Sequence, residues 1–309
     1  MQKIKLSNGV EMPLVGYGVY RVTPEECEQC VLDALQTGFR HIDTAQSYFN
    51  EQQVGNAIRR SGVDRKEVFI TSKVWIEHYG YEQTKASVEE SLRKLQTDYI
   101  DLMLLHQPFG DAYGAWRALE EMYQDGKLRA IGISNFYADR MVEFCNFACD
   151  DFTTPEGKRV KGVRPMVNQV EIHPYHQQDE LLGWMEKYGV APEAWAPLGE
   201  GRDGLFEDKT LLDIAAQHGK SLHQVVLRWH TQRGIAVFPM SRSKSHMADN
   251  LNIFDFTLTD GEMQAIASLD KGFSAFFSHQ DPKMVEWFGQ MVEERKKANH
   301  NPADEKKNW

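Results

Sequence analysis

Four ionisable side chains lie at or just beyond the carboxyl ends of three successive apolar runs in the first third of the chain. They are Asp43, Tyr48, Lys73 and His106. If the three runs are neighbouring strands of a parallel barrel, these side chains gather at its carboxyl-terminal rim, where barrel active sites lie. One ionisable residue there would mean little, but four from three adjacent strands indicate a catalytic group.

The chemistry that these residue types favour is acid catalysis by a phenol. A free tyrosine, with a pKa of about 10, is a weak acid, and a neighbouring cation lowers that pKa. Lys73 could supply the cation, and Asp43 could supply the counter-charge that a buried lysine needs. His106 could hydrogen-bond a carbonyl oxygen and align it. Together the four would stabilise and protonate an oxygen that gains negative charge.

Each of these residues also has an ordinary structural interpretation. Taken singly, Asp43, Lys73 and His106 are as well explained by caps or ion pairs, and Tyr48 by a surface aromatic. It is their conjunction that favours catalysis over these alternatives.

The elements that must position these residues alternate between short apolar runs and amphipathic stretches. We predict eight strands, over residues 14–19, 40–44, 68–74, 100–106, 130–134, 166–172, 191–198 and 236–240. We predict helices over residues 24–37, 52–61, 82–95, 113–125, 138–147, 179–188 and 222–233. This alternation is typical of βαβ units around a parallel sheet. Eight such strands suit a closed (β/α)8 barrel, with an open doubly wound sheet as the alternative.

Local motifs predict how several elements begin and turn. Asn8-Gly9 stands between alternating apolar positions and favours an amino-terminal β-hairpin with a type I′ turn. We also predict three capping boxes, formed by Thr23 with Glu26, Ser221 with Gln224, and Thr259 with Glu262.

The composition limits the classes of partner. The 309 residues include 35 Lys and Arg against 45 Asp and Glu, a formal charge of −10, which argues against nucleic acid and anionic membranes. An apolar content of 41% excludes a mostly disordered chain. There is no apolar signal segment or spanning run, and four cysteines do not make a disulfide framework. We expect a soluble cytoplasmic protein, a monomer or weak oligomer.

No linker or change of composition divides the chain, so we expect a single domain. Its hairpin would cover about residues 1–13, its barrel about 14–270 and a carboxyl-terminal segment about 271–309. Residues 150–164 are expected to form a polar loop. The polar tail, 298–309, is expected to be mobile or to lie on the surface.

Three longer motifs resemble those of the aldo-keto reductase family, in particular its bacterial, diketogluconate-reductase-like members. They cover residues 38–51, 126–136 and 168–174. The resemblance extends from the hairpin to about residue 269. It implies a (β/α)8 barrel, a nicotinamide cofactor that lies extended across the rim, and reversible carbonyl reduction. It also implies that Tyr48 is the proton donor.

The same resemblance implies roles for the other three ionisable residues and for a group of nicotinamide contacts. Lys73 and Asp43 would tune the proton donor, and His106 would orient the substrate. The nicotinamide contacts implied are Ser134, Asn135, Gln169 and Trp195, the last at a position where the family usually has a stacked Tyr or Phe. Trp195 could instead be ordinary barrel packing.

The resemblance implies pyrophosphate and adenosine contacts in the last third of the chain. Leu198 and the glycine-rich run 199–204 would close over the pyrophosphate. Ser241, Arg242 and Asn250 would contact the adenosine portion.

The adenosine segment departs from the family at two positions. Met240 and His246 replace a Lys and an Arg that normally pair with the adenosine 2′-phosphate, and a buried phosphate without partners is costly. Arg242 and Lys244 could supply substitute charge. NADP(H) remains the expected cofactor, with NAD(H) as the alternative.

The predicted substrate pocket is more polar than is usual for the family. Tyr20 and Gln107 each replace a common Trp, while Trp75 is expected to line the pocket. The pocket therefore indicates small polar carbonyl substrates, such as keto-sugar acids.

Two other functions stay open. One is a redox-sensing module on the same fold, which binds the cofactor and turns over slowly. The other is a barrel metal hydrolase, for which only Asp43 and His106 qualify as ligands at strand ends. The spaced cysteines of 27–30 and 145–149 lie in helical patterns, whereas zinc needs four converging ligands. We therefore expect no metal site.

Overall fold

A computed structural model of the chain describes residues 2–297. Its strands, in chain order, are β1 (Lys3–Lys5), β2 (Glu11–Pro13), β3 (Tyr17–Gly18), β4 (His41–Asp43), β5 (Phe69–Val74), β6 (Leu102–Leu105), β7 (Ile131–Ser134), β8 (Phe152–Thr153), β9 (Arg159–Val160), β10 (Val167–Glu171), β11 (Ala191–Trp195) and β12 (Ala236–Val237). Strands β3–β7 and β10–β12 form a parallel sheet in which each strand pairs with the next. Val237 N donates to Leu14 O at 2.9 Å, and Gly16 N donates to Val237 O at 2.8 Å. The last strand thus returns to the first, and the predicted (β/α)8 barrel is confirmed.

Helices follow most of the barrel strands. Within residues 2–297 they are α1 (Pro24–Thr37), α2 (Glu51–Ser61), α3 (Tyr81–Leu95), α4 (Ala112–Gln124), α5 (Ala138–Phe147), α6 (Asp179–Tyr188), α7 (Lys209–His218), α8 (Leu222–Gln232), α9 (Lys244–Leu251), α10 (Asp260–Ala267) and α11 (Pro282–Lys297). The seven predicted helices match α1–α6 and α8 to within one residue at each end. Helices α7, α9 and α11 were not predicted, and α10 was indicated only by its capping box. None of these helices has the length and apolar character that a bilayer crossing requires.

The register of the first strands brings their functional side chains to one rim. In β4 and β5, Asp43 pairs with Thr71. Two residues further along β5, Lys73 pairs with Leu104 of β6. Because side chains two residues apart on a strand share a face, Thr71 and Lys73 point to the same side of the sheet.

The amino-terminal hairpin forms, but its turn differs from the prediction. Lys5 pairs with Glu11, and Leu6 N donates to Val10 O, so three residues are left in the loop. Gly9 has φ +89°, whereas Asn8 has no positive φ and a type I′ turn needs two. The Asn8 side chain instead donates to the carbonyl of Arg129, which ties the hairpin to the barrel.

Two of the three predicted capping boxes are confirmed, those that begin with Ser221 and Thr259. The box at Thr23 is wrong, because its side chain accepts no hydrogen bond from the helix backbone. Its hydroxyl instead donates to the Glu26 carboxylate at 3.4 Å. That carboxylate lies 3.2 Å from the guanidinium of Arg242, which follows β12.

The segment 150–164 is more ordered than the polar loop that we predicted. It contains the antiparallel pair β8–β9. Lys158 forms an ion pair with Asp125, the residue that follows α4. The predicted tail, 298–309, lies outside the residues described.

Candidate active site

The ammonium group of Lys73 lies at the centre of the predicted catalytic group. Its Nζ donates to both carboxylate oxygens of Asp43, at 2.7 and 2.8 Å, and to the backbone oxygen of Thr44 at 2.9 Å. The same atom lies 3.4 Å from the Tyr48 hydroxyl. Lys73 has no exposed surface and Asp43 is 5% exposed. The structure therefore brings the predicted cation, its counter-charge and the phenol into direct contact.

Tyr48 and His106 border the same space at the rim. Tyr48 ends a single turn of 3-10 helix, Gln46–Tyr48, and the next residue, Phe49, turns the chain with φ +56°. His106 directly follows β6, and its ring centroid lies 5.7 Å from that of Tyr48. Its Nδ1 is 3.4 Å from the hydroxyl of Ser47. A carbonyl oxygen between the two rings would meet both a phenol and an imidazole.

The electrostatics of Tyr48 differ from the expectation. Burial raises the pKa of Tyr48 well above its ordinary value, and the negative charge of Asp43 raises it further, followed by a smaller effect from Tyr20. The expected lowering by Lys73 does not appear, because Asp43 offsets that positive charge with both of its oxygens. The phenol is therefore held in its protonated form, which is the form that can give up a proton.

His106 is held in the neutral form. Burial lowers its pKa well below the ordinary value, and the charges of Lys73 and His279 lower it further. A neutral imidazole carries one N–H donor and one acceptor nitrogen. His106 can therefore donate a hydrogen bond without bringing a second positive charge next to Lys73.

The predicted nicotinamide residues form one connected wall beside this group. The Trp195 indole donates to Asn135 Oδ1 at 2.8 Å, and Asn135 Nδ2 donates to the backbone oxygen of His106 at 3.0 Å. Ser134 Oγ donates to the backbone oxygen of Gln169 at 2.8 Å. These bonds fix both the aromatic ring and the polar side chains next to the catalytic group.

A buried carboxyl group that the sequence analysis missed lies behind this wall. Glu193, in β11, is fully buried, and its Oε2 accepts from Gln169 Nε2 at 2.9 Å. The same Gln169 nitrogen donates to Asp43 Oδ2, also at 2.9 Å. Burial raises the pKa of Glu193 to about 8, and the charge of Asp43 adds to this effect. A glutamate inside an apolar barrel strand was the signal that could have revealed it.

The Glu193→Gln variant is expected to gain stability over the wild type as pH rises from about 4.5 to 8. Below about 4.5 the carboxyl is protonated in both the folded and the unfolded chain. Above that, the unfolded chain releases a proton that the buried site retains, which costs the wild type up to about 1.4 kcal/mol per pH unit. Urea unfolding of both proteins at pH 5 and pH 7.5 measures the difference, and a difference independent of pH would contradict the assignment.

The glycine-rich run lies across the rim from the first barrel loop. It falls within the irregular turn Gly199–Glu207, where Glu200 and Asp203 adopt left-handed backbone conformations. Glu200 forms an ion pair with Arg21 at 3.0 Å. Leu198 closes the turn by accepting a hydrogen bond from Gly201 N. Because Glu200 ties this turn to the first barrel loop, the run 199–204 could cover a ligand that lies along the rim.

The predicted adenosine segment lies against α1. Ser241 accepts from the Tyr17 hydroxyl through its backbone oxygen at 2.7 Å, and Asn250 is buried within α9. The two candidate substitute cations are already engaged by α1. Arg242 pairs with Glu26, and Lys244 pairs with Asp33 at 2.9 Å.

The two positions that depart from the family differ in their surroundings. Met240 is 39% exposed, so a longer charged side chain could be accommodated there. His246 is exposed on α9. Neither provides a permanent positive charge.

The predicted substrate residues lie around Tyr48 and His106. The Tyr20 ring lies 5.1 Å from that of Tyr48, and the Trp75 ring lies 5.0 Å from that of His106. Gln107 is buried, and its backbone exchanges two hydrogen bonds with the Tyr79 hydroxyl. Among the residues described, Trp75 Nε1 and Gln107 Oε1 have no hydrogen-bond partner.

The residues at this rim fit an extended dinucleotide. They offer an aromatic face at Trp195, fixed polar groups beside it, a turn rich in backbone N–H groups, and cations at the far end. A cleft of about 860 Å³ lies between the hairpin and the amino-terminal ends of the strands. Its lining includes none of the proposed catalytic residues Asp43, Tyr48, Lys73 and His106.

Comparison with known proteins gives a consistent result. The model of the Aldo/keto reductase family matches residues 13–271. Glyoxal reductase of Bacillus subtilis (strain 168) is 45% identical over 270 residues, which cover 87% of this chain and 92% of that protein. An aldo/keto reductase structure from Brucella melitensis is 40% identical with a TM-score of 0.80, covering 87% of this chain and 99% of that one. A Bombyx mori aldo-keto reductase, solved in complex with NADP, is 32% identical with a TM-score of 0.81. The match covers 89% of this chain and 95% of that one.

Proposed function

The chain belongs to the aldo/keto reductase family, and from this premise we propose that Tyr48 is the proton donor in its reaction. As a member of that family it is an NAD(P)H-dependent oxidoreductase that reduces carbonyl groups. The observation that carries the proposal is the position of the Tyr48 hydroxyl, 3.4 Å from Lys73 Nζ and beside the His106 ring. This is where an oxygen that gains negative charge needs a proton and a nearby cation.

The roles of the four residues follow from their contacts. When bound, the nicotinamide supplies the hydride that reduces the carbonyl carbon. Neutral His106 donates a hydrogen bond to the carbonyl oxygen and holds it toward Tyr48. As that oxygen becomes negative it takes the phenolic proton, because an alkoxide is a much stronger base than a phenolate. The Lys73 ammonium then stabilises the phenolate, and Asp43 keeps the ammonium in place.

The remaining rim residues are proposed to hold the cofactor. Ser134, Asn135 and Gln169 would bind the carboxamide, and Trp195 would stack on the nicotinamide ring. Because Gln169 Nε2 already donates to two carboxyl groups, its oxygen is the atom that remains for the carboxamide nitrogen.

The other half of the cofactor would lie further along the rim. Leu198 and the glycine-rich run 199–204, which the Arg21–Glu200 ion pair ties to the first barrel loop, would cover the pyrophosphate. The proposed contacts of the adenosine portion are Ser241, Arg242 and Asn250. The chain would work as one domain, with residues 274–276 packed against the same rim.

We propose NADP(H) as the cofactor. A single added charge tests whether residue 240 contributes to the preference for the 2′-phosphate of NADPH. Met240→Lys is expected to raise the ratio of kcat/KM with NADPH to that with NADH by about tenfold, since a charge-assisted contact to phosphate contributes about 1.4 kcal/mol. Met240→Gln, of similar length but uncharged, is the control. Equal changes with both cofactors in the lysine variant would mean that residue 240 does not face the phosphate.

The proposed function is tested by a panel of aldehydes, ketoses and keto acids, each assayed with NADPH and with NADH. We propose small polar carbonyls as the substrates, because Tyr20 and Gln107 bring polar groups to the surroundings of Tyr48 and His106. Steady oxidation of reduced nicotinamide by members of this class supports the proposal. Tight cofactor binding without turnover of any carbonyl would favour the redox-sensing alternative.

The residues described do not offer the ligand set that the hydrolase alternative needs. Within residues 2–297, no three His, Cys, Asp or Glu side chains are grouped so that they could hold a metal ion. Asp43, one of its two candidate ligands, is already bound by Lys73 through both oxygens.

A further inference from the structure

Glu193 is a fully buried acid that the proposed chemistry leaves unused. It lies in β11, where it pairs in register with Gln169 of β10. Trp195 follows two residues later on the same strand, so the side chains of Glu193 and Trp195 share a face of the sheet. Gln169 and Trp195 are both proposed nicotinamide contacts. Glu193 therefore lies one side chain away from the proposed nicotinamide site.

The two carboxyl groups that share the Gln169 amide are paired very differently. Asp43 accepts from Lys73 Nζ through both oxygens, and from Gln169 Nε2 as well. Among the residues described, Glu193 accepts one hydrogen bond, from Gln169 Nε2 at 2.9 Å, and its Oε1 has no partner. A buried carboxylate is costly unless a cation or several donors face it. The negative charge therefore belongs on Asp43 and the proton on Glu193.

The charges around Glu193 favour the same assignment. Burial, followed by the charge of Asp43, raises its pKa to about 8, although the charge of Lys73 acts in the opposite direction. His41, two residues before Asp43 on β4, is neutral because burial lowers its pKa to about 3. Of the flanking strands, β12 carries no titratable side chain, and the one on β10, Glu171, is bound by the carboxyl-terminal segment. Glu193 is therefore neutral at pH 7 and becomes charged at mildly alkaline pH.

A neutral carboxyl at this position affects the nicotinamide site in two ways. As an acceptor, Glu193 holds the second N–H of Gln169, so the amide nitrogen stays turned toward the two carboxyl groups. Without a charge, it does not distinguish the two forms of the cofactor. The oxidised nicotinamide ring is cationic and the reduced ring is neutral, so a negative charge here would favour NADP⁺ over NADPH. The proton on Glu193 removes that bias.

We propose that Glu193 is a positioning residue whose neutral carboxyl fixes the Gln169 amide and keeps a second negative charge away from the nicotinamide. This role rests on the proposed function and deepens it, because it assigns to one buried acid the balance between binding of the reduced and the oxidised cofactor. Glu193 acts through Gln169 and takes no part in proton transfer.

The pH dependence of cofactor binding tests this role. Titrations with NADPH and with NADP⁺, followed by quenching of protein fluorescence, give the ratio of the Kd for NADPH to the Kd for NADP⁺. Between pH 6.5 and 9 the wild-type ratio is expected to rise about tenfold, because the ionised carboxyl attracts the cationic ring across one side chain. In Glu193→Gln, which is neutral throughout, the ratio should stay at the wild-type value for pH 6.5. The 2′-phosphate is common to both forms, so its ionisation cancels in the ratio.

Two further variants separate positioning from a general effect on stability. Glu193→Met has a similar length but no strong acceptor, so the Gln169 amide loses one of its two partners. At pH 6.5 it is expected to weaken binding of both cofactor forms about fivefold, the usual effect of one hydrogen bond, whereas Glu193→Gln should bind them as the wild type does. Glu120→Gln is the matched control, because Glu120 is also fully buried with a pKa raised by burial to about 8. Its carboxyl bonds Val163 N outside the barrel, so neither Kd should change.

A wild-type ratio that rises with pH, together with a constant ratio in Glu193→Gln, supports the proposal. The proposal is wrong if the wild-type ratio does not change, if it changes equally in Glu193→Gln, or if Glu120→Gln weakens binding as much as Glu193→Met does. Each of these results leaves the proposed function standing, since both cofactor forms still bind. If the wild type binds neither form, the proposed function itself fails, and the role of Glu193 falls with it.

Discussion

The Tyr48→Phe variant is expected to reduce carbonyl substrates more slowly than the wild type by about 10²–10⁴-fold or more, the usual effect of losing a general acid. Phenylalanine keeps the ring that lies against His106 and Tyr20, so the shape of the site is preserved. Only the hydroxyl is lost, and with it the proton that the developing alkoxide would take. The Lys73–Asp43 pair stays intact, which separates this change from a general loss of structure.

Steady-state assays with the best substrate of the panel measure the effect, and quenching of protein fluorescence measures cofactor affinity. Cofactor affinity should stay near the wild-type value. Tyr113→Phe is a matched control, because it removes a phenolic hydroxyl that bonds Glu143 on the outer helices. A Tyr48→Phe variant that reduces a good aldehyde at a near-normal rate would show that another group supplies the proton.

The barrel could be predicted because its pattern is local. Short apolar runs alternate with amphipathic stretches, and the burial of each segment can be inferred from its own residues. The strand ends were less accurate, as the first run shows. Residues 14–19 were predicted as a strand, yet β3 covers only Tyr17–Gly18, the two residues that pair with β4. Val15 forms an isolated bridge with Val237 across the closure. The length of a barrel strand depends on a partner that is distant in sequence.

The local errors have the same origin. The type I′ turn was wrong because the Asn8 side chain bonds the backbone of Arg129. The capping box at Thr23 was wrong because the Glu26 carboxylate accepts a hydrogen bond from Arg242 Nε. In both cases a contact across more than a hundred residues outweighs a preference of four neighbouring ones.

Some features of the candidate site are visible in the sequence, and others depend on contacts between distant residues. The four ionisable residues stand at strand ends and are visible in the sequence, whereas the pKa of Tyr48 depends first on how deeply the folded chain buries its hydroxyl and then on the negative charge of Asp43. Glu193 could have been noticed as a charge within an apolar strand. The contacts of Ser274 and Ala275 with Glu171 could not, because these two residues lie beyond the repeating barrel units.

Removing the charge of Lys73 is expected to lower both stability and turnover. Lys73→Met leaves the Asp43 carboxylate buried beside Gln169 without its cation, and breaking a buried pair in this way costs about 3–5 kcal/mol of folding free energy. The phenolate that forms on Tyr48 also loses its stabilising charge, so kcat should fall by about 10²-fold or more. Urea unfolding and steady-state assays measure the two effects separately.

A second substitution separates the structural part of that loss from the catalytic part. In the double variant Asp43→Asn with Lys73→Met, neither member of the pair is charged, and most of the lost stability should return because no unpaired charge remains. Turnover should stay low, since no cation lies beside the phenol. Recovery of both stability and kcat would mean that Lys73 only balances Asp43 and takes no part in proton transfer. Recovery of stability alone would mean that the ammonium acts on the Tyr48 oxygen itself.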